Sequence, residues 1–330
     1  MKTYSVTAKA HPNIAFIKYW GNQDDSLKLP SNGSISMNLA SLNTTTTVTT
    51  NPKYVNDHLE LNGAAQTGPA LARIQQYLDL IRKIYKRDEF LEVKSTNNFP
   101  MSAGIASSAS AFAALSTAVA HLFELHLSQK ELSAIARLGS GSACRSIPPG
   151  YCEWKTGSRH EESYATSINH ENHWPLWDCI AIVESKPKDV SSTKGHSMAD
   201  SSPLQQARIM DTPRRLDICR SAIINRDFGA LSEIIELDSN LMHAVMMTSK
   251  PPIIYWQPAS LLIMQEVKKM RKKGTAAAYT LDAGANIHVI CTEESCKKVE
   301  DNLRDLPGII EILKSPSGRG ASVIQPTSPN

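Results

Sequence analysis

The chain has 330 residues, 41% hydrophobic and 20% charged, with a formal net charge of +3. That length suits two domains, or one large one, with an ordinary buried core. So small a net charge gives no footprint for nucleic acid or an anionic membrane surface, although a local basic cluster can still serve an anionic substrate.

Alternation in YSVTAKA and NIAFIKYW predicts two strands around His11-Pro12. The segment SISMNLASLNTTTTVTT continues in β style, and NDHLELNGAA predicts a hairpin turning at Asn62-Gly63. GPALARIQQYLDLIRKIYKR has apolar residues at helical spacing and a basic end. LEVKSTNNFP reads as a strand and a turn. PMSAGIASSASAFAALSTAVAHLFEL is Ala- and Ser-rich, and its second half predicts a closely packing helix. The next helix starts with a capping box, Ser128 with Glu131, and stops near Gly139. GYCEWKTG and WDCIAIVESK predict strands, and the polar stretch between them, SRHEESYATSINHENHW, reads as loop-rich. Residues 202–249 read as mostly helical, followed by an amphipathic helix closed by Gly274, a strand–turn–strand over AAAYTLDAGANIHVICT, and a helix over ESCKKVEDNLRDL. The tail ASVIQPTSPN reads as frayed. The pattern is α+β, with a boundary expected at residue 178, giving domains 1–178 and 179–330.

Six cysteines show no CxxC pair and no zinc spacing, so free thiols in a reducing compartment are expected. The N-terminus lacks the apolar core of a secretory signal, and no stretch approaches the length of a membrane span. The expected location is cytoplasmic.

Four segments can carry chemistry. In PMSAGIASSASA, Gly104 and its small neighbours allow a backbone to approach a ligand, and the run enters a helix whose free N–H groups suit phosphate. Ser107 and Ser108 add hydroxyls for a phosphate or a metal ion; a tight helix-packing surface is the alternative. No Walker loop is present. In GSGSACRS, Ser140, Ser142 and Arg145 form a donor-rich set for a carboxylate or phosphate, or else a solvated loop. AHPNIAFIKYWGNQDD holds Asn13, Lys18, Tyr19 and Trp20, with Lys18 facing either a cleft or water. In YTLDAGANIHVI, Asp282 between a strand and a small-residue turn is either a cap or a carboxylate held for chemistry.

The order of these segments resembles the mevalonate diphosphate decarboxylase family, within the small-molecule kinases that include galactokinase, homoserine kinase, mevalonate kinase and phosphomevalonate kinase. KYWG and GSGSACRS resemble the decarboxylases specifically, while PxxxGxxSS is shared with the wider group. VSSTKGHSM and LDSNLMHAVMMTS are also similar. The likeness runs from about residue 8 to residue 290. It implies a two-lobed GHMP-kinase-like α+β fold, with a ribosomal-protein-S5-like N-terminal half and a ferredoxin-like C-terminal half. It implies ATP and Mg2+, a phosphorylated mevalonate substrate, no nucleic acid or membrane partner, and a homodimer. By the same resemblance Asp282 deprotonates or orients a tertiary hydroxyl, Arg145 holds the substrate carboxylate, and Lys18 supplies positive charge. Gly104, Ala106, Ser107 and Ser108 hold the nucleotide, with Ser108 also toward the metal. Asn13, Tyr19, Ser140, Ser142, Thr193 and Lys194 face the substrate.

One departure matters. The family commonly reads KYWGK, and here Asn22 stands where a lysine is expected near the 5-diphosphate. The reaction expected is ATP-dependent decarboxylation of 5-diphosphomevalonate or of 5-phosphomevalonate. Two rivals are a small-alcohol kinase that stops after phosphorylation and a non-catalytic metabolite-binding member.

Overall fold

The computed structural model describes residues 3–99, 107–184 and 190–327. Among the described residues, three larger sheets, the two-stranded ribbon Asn22–Asp24 with Leu29–Pro30, and their helices make up two α+β lobes. The first sheet has strands in the order Ser322–Thr327, Tyr4–Ala10, Thr44–Thr50, Leu91–Asn97, His58–Leu61 and Ala64–Ala65. It is antiparallel except where His58–Leu61 runs parallel to Leu91–Asn97. The Thr/Val alternation in Thr44–Thr50 puts Thr44, Thr46 and Val48 inward, as a half-buried strand requires.

Helices α1 (Pro69–Tyr85), α2 (Ser107–Leu122) and α3 (Gln129–Gly139) belong to this half. Apolar side chains of α1 and α2 share a core with Val6, Ala8, Ala10, Val48, Leu91 and Val93. α2 is buried on nearly every side from Ala109 to Ala120, so its alanines let it approach the sheet closely. α3 begins at the expected capping box: Ser128 Oγ accepts from the Glu131 N–H, and Glu131 reaches back to the Ser128 N–H.

The second sheet, Ala165–Asn169, Tyr151–Trp154, Ser34–Asn38 and Asn13–Ile17, lies between this half and the helices of the other. Ser34–Asn38 and the edge strand Asn13–Ile17 are buried at every position, so neither shows an inside–outside alternation. In the second half come α4 (Ser192–Met198), α5 (Gln205–Met210), α6 (Thr212–Asn225), α7 (Phe228–Thr248), α8 (Pro258–Lys272) and α9 (Glu293–Arg304). The third sheet runs Ala277–Thr280, Ile287–Thr292, Leu176–Ile182, Glu311–Pro316. Ile234 and Ile235 of α7 join Ile14, Phe16, Ile35, Ile180 and Ile290 in the core that joins the second and third sheets. Each such aliphatic side chain contributes roughly 1.5–3 kcal/mol on burial.

Several expectations change. The stretch read as loop-rich contains the strand Ala165–Asn169, paired with Tyr151–Trp154. Its polar alternation is that of an edge strand covering one apolar face. The tail is not frayed over its described part, because Ser322–Thr327 pairs with Tyr4–Ala10 and closes the edge of the first sheet. The strand NIAFI ends at Ile17, so Lys18 lies beyond it. The hairpin at Asn62-Gly63 is present, with both residues at positive φ. All six cysteines are free and buried. Cys179, Cys291 and Cys296 converge inside the third sheet's core, a clustering that spacing along the chain did not reveal.

Candidate active site

A cleft of about 790 Å3 is lined by segments far apart in sequence, among them Asn13, Lys18, Tyr19, Ser108, Arg145 and Asp282. At its base the Lys18 Nζ donates to Asp282 Oδ1 at 2.6 Å. Lys18 is 1% exposed and Asp282 28% exposed, so the acid is the member of the pair that a ligand can reach. Asp282 caps no described helix. Its bend is anchored by the Leu281 N–H, which donates to Ser239 Oγ on α7 at 3.0 Å.

The electrostatics follow from burial. Desolvation pushes the Asp282 carboxyl upward, but Lys18, His288 and Arg145 outweigh it and hold it below the ordinary carboxylate value. Lys18 is held below the ordinary lysine value by desolvation, which Asp282 and Asp238 partly offset. Asp282 therefore stays ionised at neutral pH.

Arg145 sits on the 3-10 turn Gly141–Ser146 and is 3% exposed. Its Nη1 donates to Ser34 Oγ at 2.6 Å and its Nε to Asn13 Oδ1 at 3.2 Å. Among the described residues it makes no ion pair with a carboxylate. A buried guanidinium with only neutral partners is suited to an anionic ligand. Asn13 is itself fixed, since its Nδ2 donates to Ser142 O and Ser146 Oγ.

The two serine-rich motifs meet. Ser107 and Ser108 open α2, and Ser108 Oγ lies 3.2 Å from Ser140 Oγ. The first turn of α2 carries no acid, which leaves its positive end available to phosphate oxygens. Those hydroxyls and N–H groups are hard oxygen and amide partners of the kind a nucleotide phosphate and its magnesium ion require. Gly104 and Ala106 lie outside the described residues.

The KYWG segment docks onto α4. The Tyr19 and His196 rings lie 4.1 Å apart, and a Cβ on Gly195 would meet the Trp20 ring at 2.4 Å. Gly141 is similarly required, because a Cβ there would meet Tyr19 at 2.7 Å. Thr193 and Lys194 of α4 line the cleft and are exposed. Asn22 accepts from Tyr19 Oη and donates from Nδ2 to Asp25 Oδ1 at 2.7 Å.

Sequence reasoning missed Lys28, Arg73 and His196, which also line the cleft. Lys28 is held below its ordinary value by burial and then by Arg73, so two cations share this wall. No local pattern marks an isolated arginine on a helix as a ligand; only the packing of α1 reveals it. His243 on α7 is buried behind the cleft rather than lining it, and its ring is hydrogen-bonded to the backbone at Leu281. Its Nε2 has no partner among the described residues. Arg271, in the basic last turn of α8, pairs with Glu236 at 2.6 Å.

Two α+β lobes, a phosphate-ready helix tip and a buried acid–ammonium pair define a small-molecule-kinase type of enzyme. Residues 10–165 match the model of the diphosphomevalonate decarboxylase-like N-terminal domain, and residues 179–315 that of the mevalonate 5-diphosphate decarboxylase C-terminal domain. A diphosphomevalonate decarboxylase of Candida albicans is 40% identical over 90% of this chain and 86% of its own. One from Ganoderma lucidum is 38% identical over 98% and 88%. The mevalonate diphosphate decarboxylase of Staphylococcus aureus superposes with a TM-score of 0.93 at 36% identity, covering 98% of both chains. A complex of MDDEF with MVAPP, AMPPCP and magnesium gives 0.92 at 35% identity, covering 98% of this chain and 99% of that one. The chain belongs to the diphosphomevalonate decarboxylase family.

Proposed function

We propose that the chain uses ATP to decarboxylate 5-diphosphomevalonate in the mevalonate pathway of isoprenoid synthesis, releasing isopentenyl diphosphate, ADP, phosphate and carbon dioxide. The observation that carries this reading is Arg145, buried without a carboxylate partner, in the same cleft as the Lys18–Asp282 pair. The family relationship and the named contents of the MDDEF complex support the same substrate.

In this reading Asp282 accepts or orients the proton of the tertiary 3-hydroxyl as that oxygen takes the γ-phosphoryl group. Lys18 steadies the negative charge at that oxygen. Arg145 grips the substrate carboxylate in bidentate fashion, aligning the carbon–carbon bond to break. When phosphate leaves C3, the electrons of that bond form the alkene and carbon dioxide departs. Magnesium, with the nucleotide, supplies charge neutralisation at the phosphates, and Ser108 is the hydroxyl assigned to that region together with Gly104, Ala106 and Ser107. Asn13, Tyr19, Ser140, Ser142, Thr193 and Lys194 are assigned to the rest of the substrate.

The 5-monophosphate is the second candidate, because Asn22 brings no charge and is occupied by Tyr19 and Asp25. A coupled assay with mevalonate, its 5-phosphate and its 5-diphosphate tests both. Carbon dioxide release should match ADP formation one to one. ADP without carbon dioxide would make the chain a kinase, and no turnover with any of the three would make it a metabolite-binding member. We further assign lobes at 1–178 and 179–330, a cytoplasmic location consistent with six free thiols, and a homodimer, which light scattering of the purified protein checks.

A further inference from the structure

Two buried side chains of the helical half grip the backbone of one residue of the first half. The Lys18 N–H donates to Asp238 Oδ2 at 2.6 Å, and the Lys18 carbonyl accepts from Arg208 Nη2 at 2.7 Å. Asn32 Nδ2 adds a bond to that carbonyl at 2.8 Å, and Asn32 Oδ1 in turn accepts from Arg208 Nη1 at 3.1 Å. Asp238, on α7, gives its other oxygen to Arg215 Nε at 2.8 Å. Arg208, on α5, and Asp238 are buried and do not line the cleft. Charges buried this deeply are no better for stability than a well-packed apolar pair. What they hold is the backbone of the residue whose ammonium meets Asp282.

We propose that Asp238 and Arg208 are positioning residues for Lys18: by holding its backbone N–H and its carbonyl they set where its ammonium stands against Asp282 and the substrate. The proposal rests on the role assigned to Lys18 above. The charged and titratable groups facing Lys18 are Asp282 on its turn, Arg145 on the 3-10 turn, Asp238 and His243 on α7, and Arg208 on α5. Burial lowers the ammonium's pKa most, and Asp282, then Asp238, raise it again. Asp238 therefore acts on both the place and the charge of Lys18.

NMR titration of the full chain labelled with carbon-13 at lysine Cε, with Lys18 assigned through Lys18→Met, reads the ammonium without any substrate. In Asp238→Asn the Lys18 midpoint should fall by about one pH unit, since one of its two facing carboxylates is neutralised. At neutral pH kcat should drop about tenfold with KM within about twofold, and the alkaline limb of kcat should move with the NMR midpoint. Arg208→Lys keeps the charge but cannot span the carbonyl and Asn32 together, so it should lower kcat and leave the midpoint in place. A wild-type midpoint in Asp238→Asn with only a lower Tm overturns the proposal, as does full kcat in Arg208→Lys. If Asp238→Asn does not fold, Arg208→Lys decides. A wild-type protein that releases no carbon dioxide counts against the assigned reaction alone, because the NMR midpoints still report the grip on Lys18.

Discussion

At the residue scale, chemistry rests on which buried charges lack partners. Asp282 is paired but reachable, and Arg145 has only neutral partners. Asp282→Asn keeps the shape and removes the acceptor proposed for the hydroxyl proton, so turnover should vanish while substrate binding, measured by calorimetry, stays within about threefold. Arg145→Lys keeps the charge but loses the fork, and kcat/KM should fall by about 10²-fold or more. His243 makes a different prediction. Burial, then Lys18, push it down to about 3, so it is neutral in the folded protein. The unfolded chain protonates it near pH 6.5, so between those values the unfolded state binds the extra proton. The stability it contributes is complete above about 6.5 and is lost as pH falls, by at most about 1.4 kcal/mol per unit. His243→Gln should flatten the unfolding free energy between about pH 6.5 and 4 in denaturant titrations; an unchanged slope would contradict this account.

At the element scale, α3 and the last strand are the informative cases. The capping box of α3 depends on neighbouring residues only, and the pattern Ser128-x-x-Glu131 disclosed it before any coordinates. Ser128→Ala should cost about 1 kcal/mol in urea unfolding without altering kcat. The strand Ser322–Thr327 was the opposite case. Its Pro- and Ser-rich end looks unstructured, and its order comes from pairing with Tyr4–Ala10 and from Val323 packing on the core of the first half. Truncation after Ala321 should therefore cost about 2 kcal/mol or more, visible as a lower Tm. Ala165–Asn169 was missed for the same reason, since an edge strand with intermediate burial has little hydrophobic signal of its own.

At the scale of the whole molecule, the site exists only where the two halves meet. The KYWG segment docks on α4, and Lys18 is separated from Asp282 by 264 positions in the chain. Substrate choice is a property of this assembled cleft. On the proposed function, the Tyr19–Asn22–Asp25 chain stands where the resemblance expects a lysine for a diphosphate, while Lys28, Arg73 and Lys194 offer charge elsewhere on the wall. The 5-diphosphate should give the larger kcat/KM if those cations compensate, and Lys194→Ala should then cost that substrate more than the 5-monophosphate.

Sequence by itself determined the periodic elements, the hairpin at Asn62-Gly63, the cap of α3 and the family, because each is written in contiguous residues or in the order of short motifs. It also singled out Asp282, Lys18 and Arg145 as candidates for the chemistry. Only the tertiary structure decided that these three share one cleft, that Arg73 and His196 join them, and that Asp238 and Arg208 reach across to the Lys18 backbone. The physical reason is that burial and the approach of unlike charges depend on distances closed by folding, and a buried arginine and a solvated one look the same along the chain.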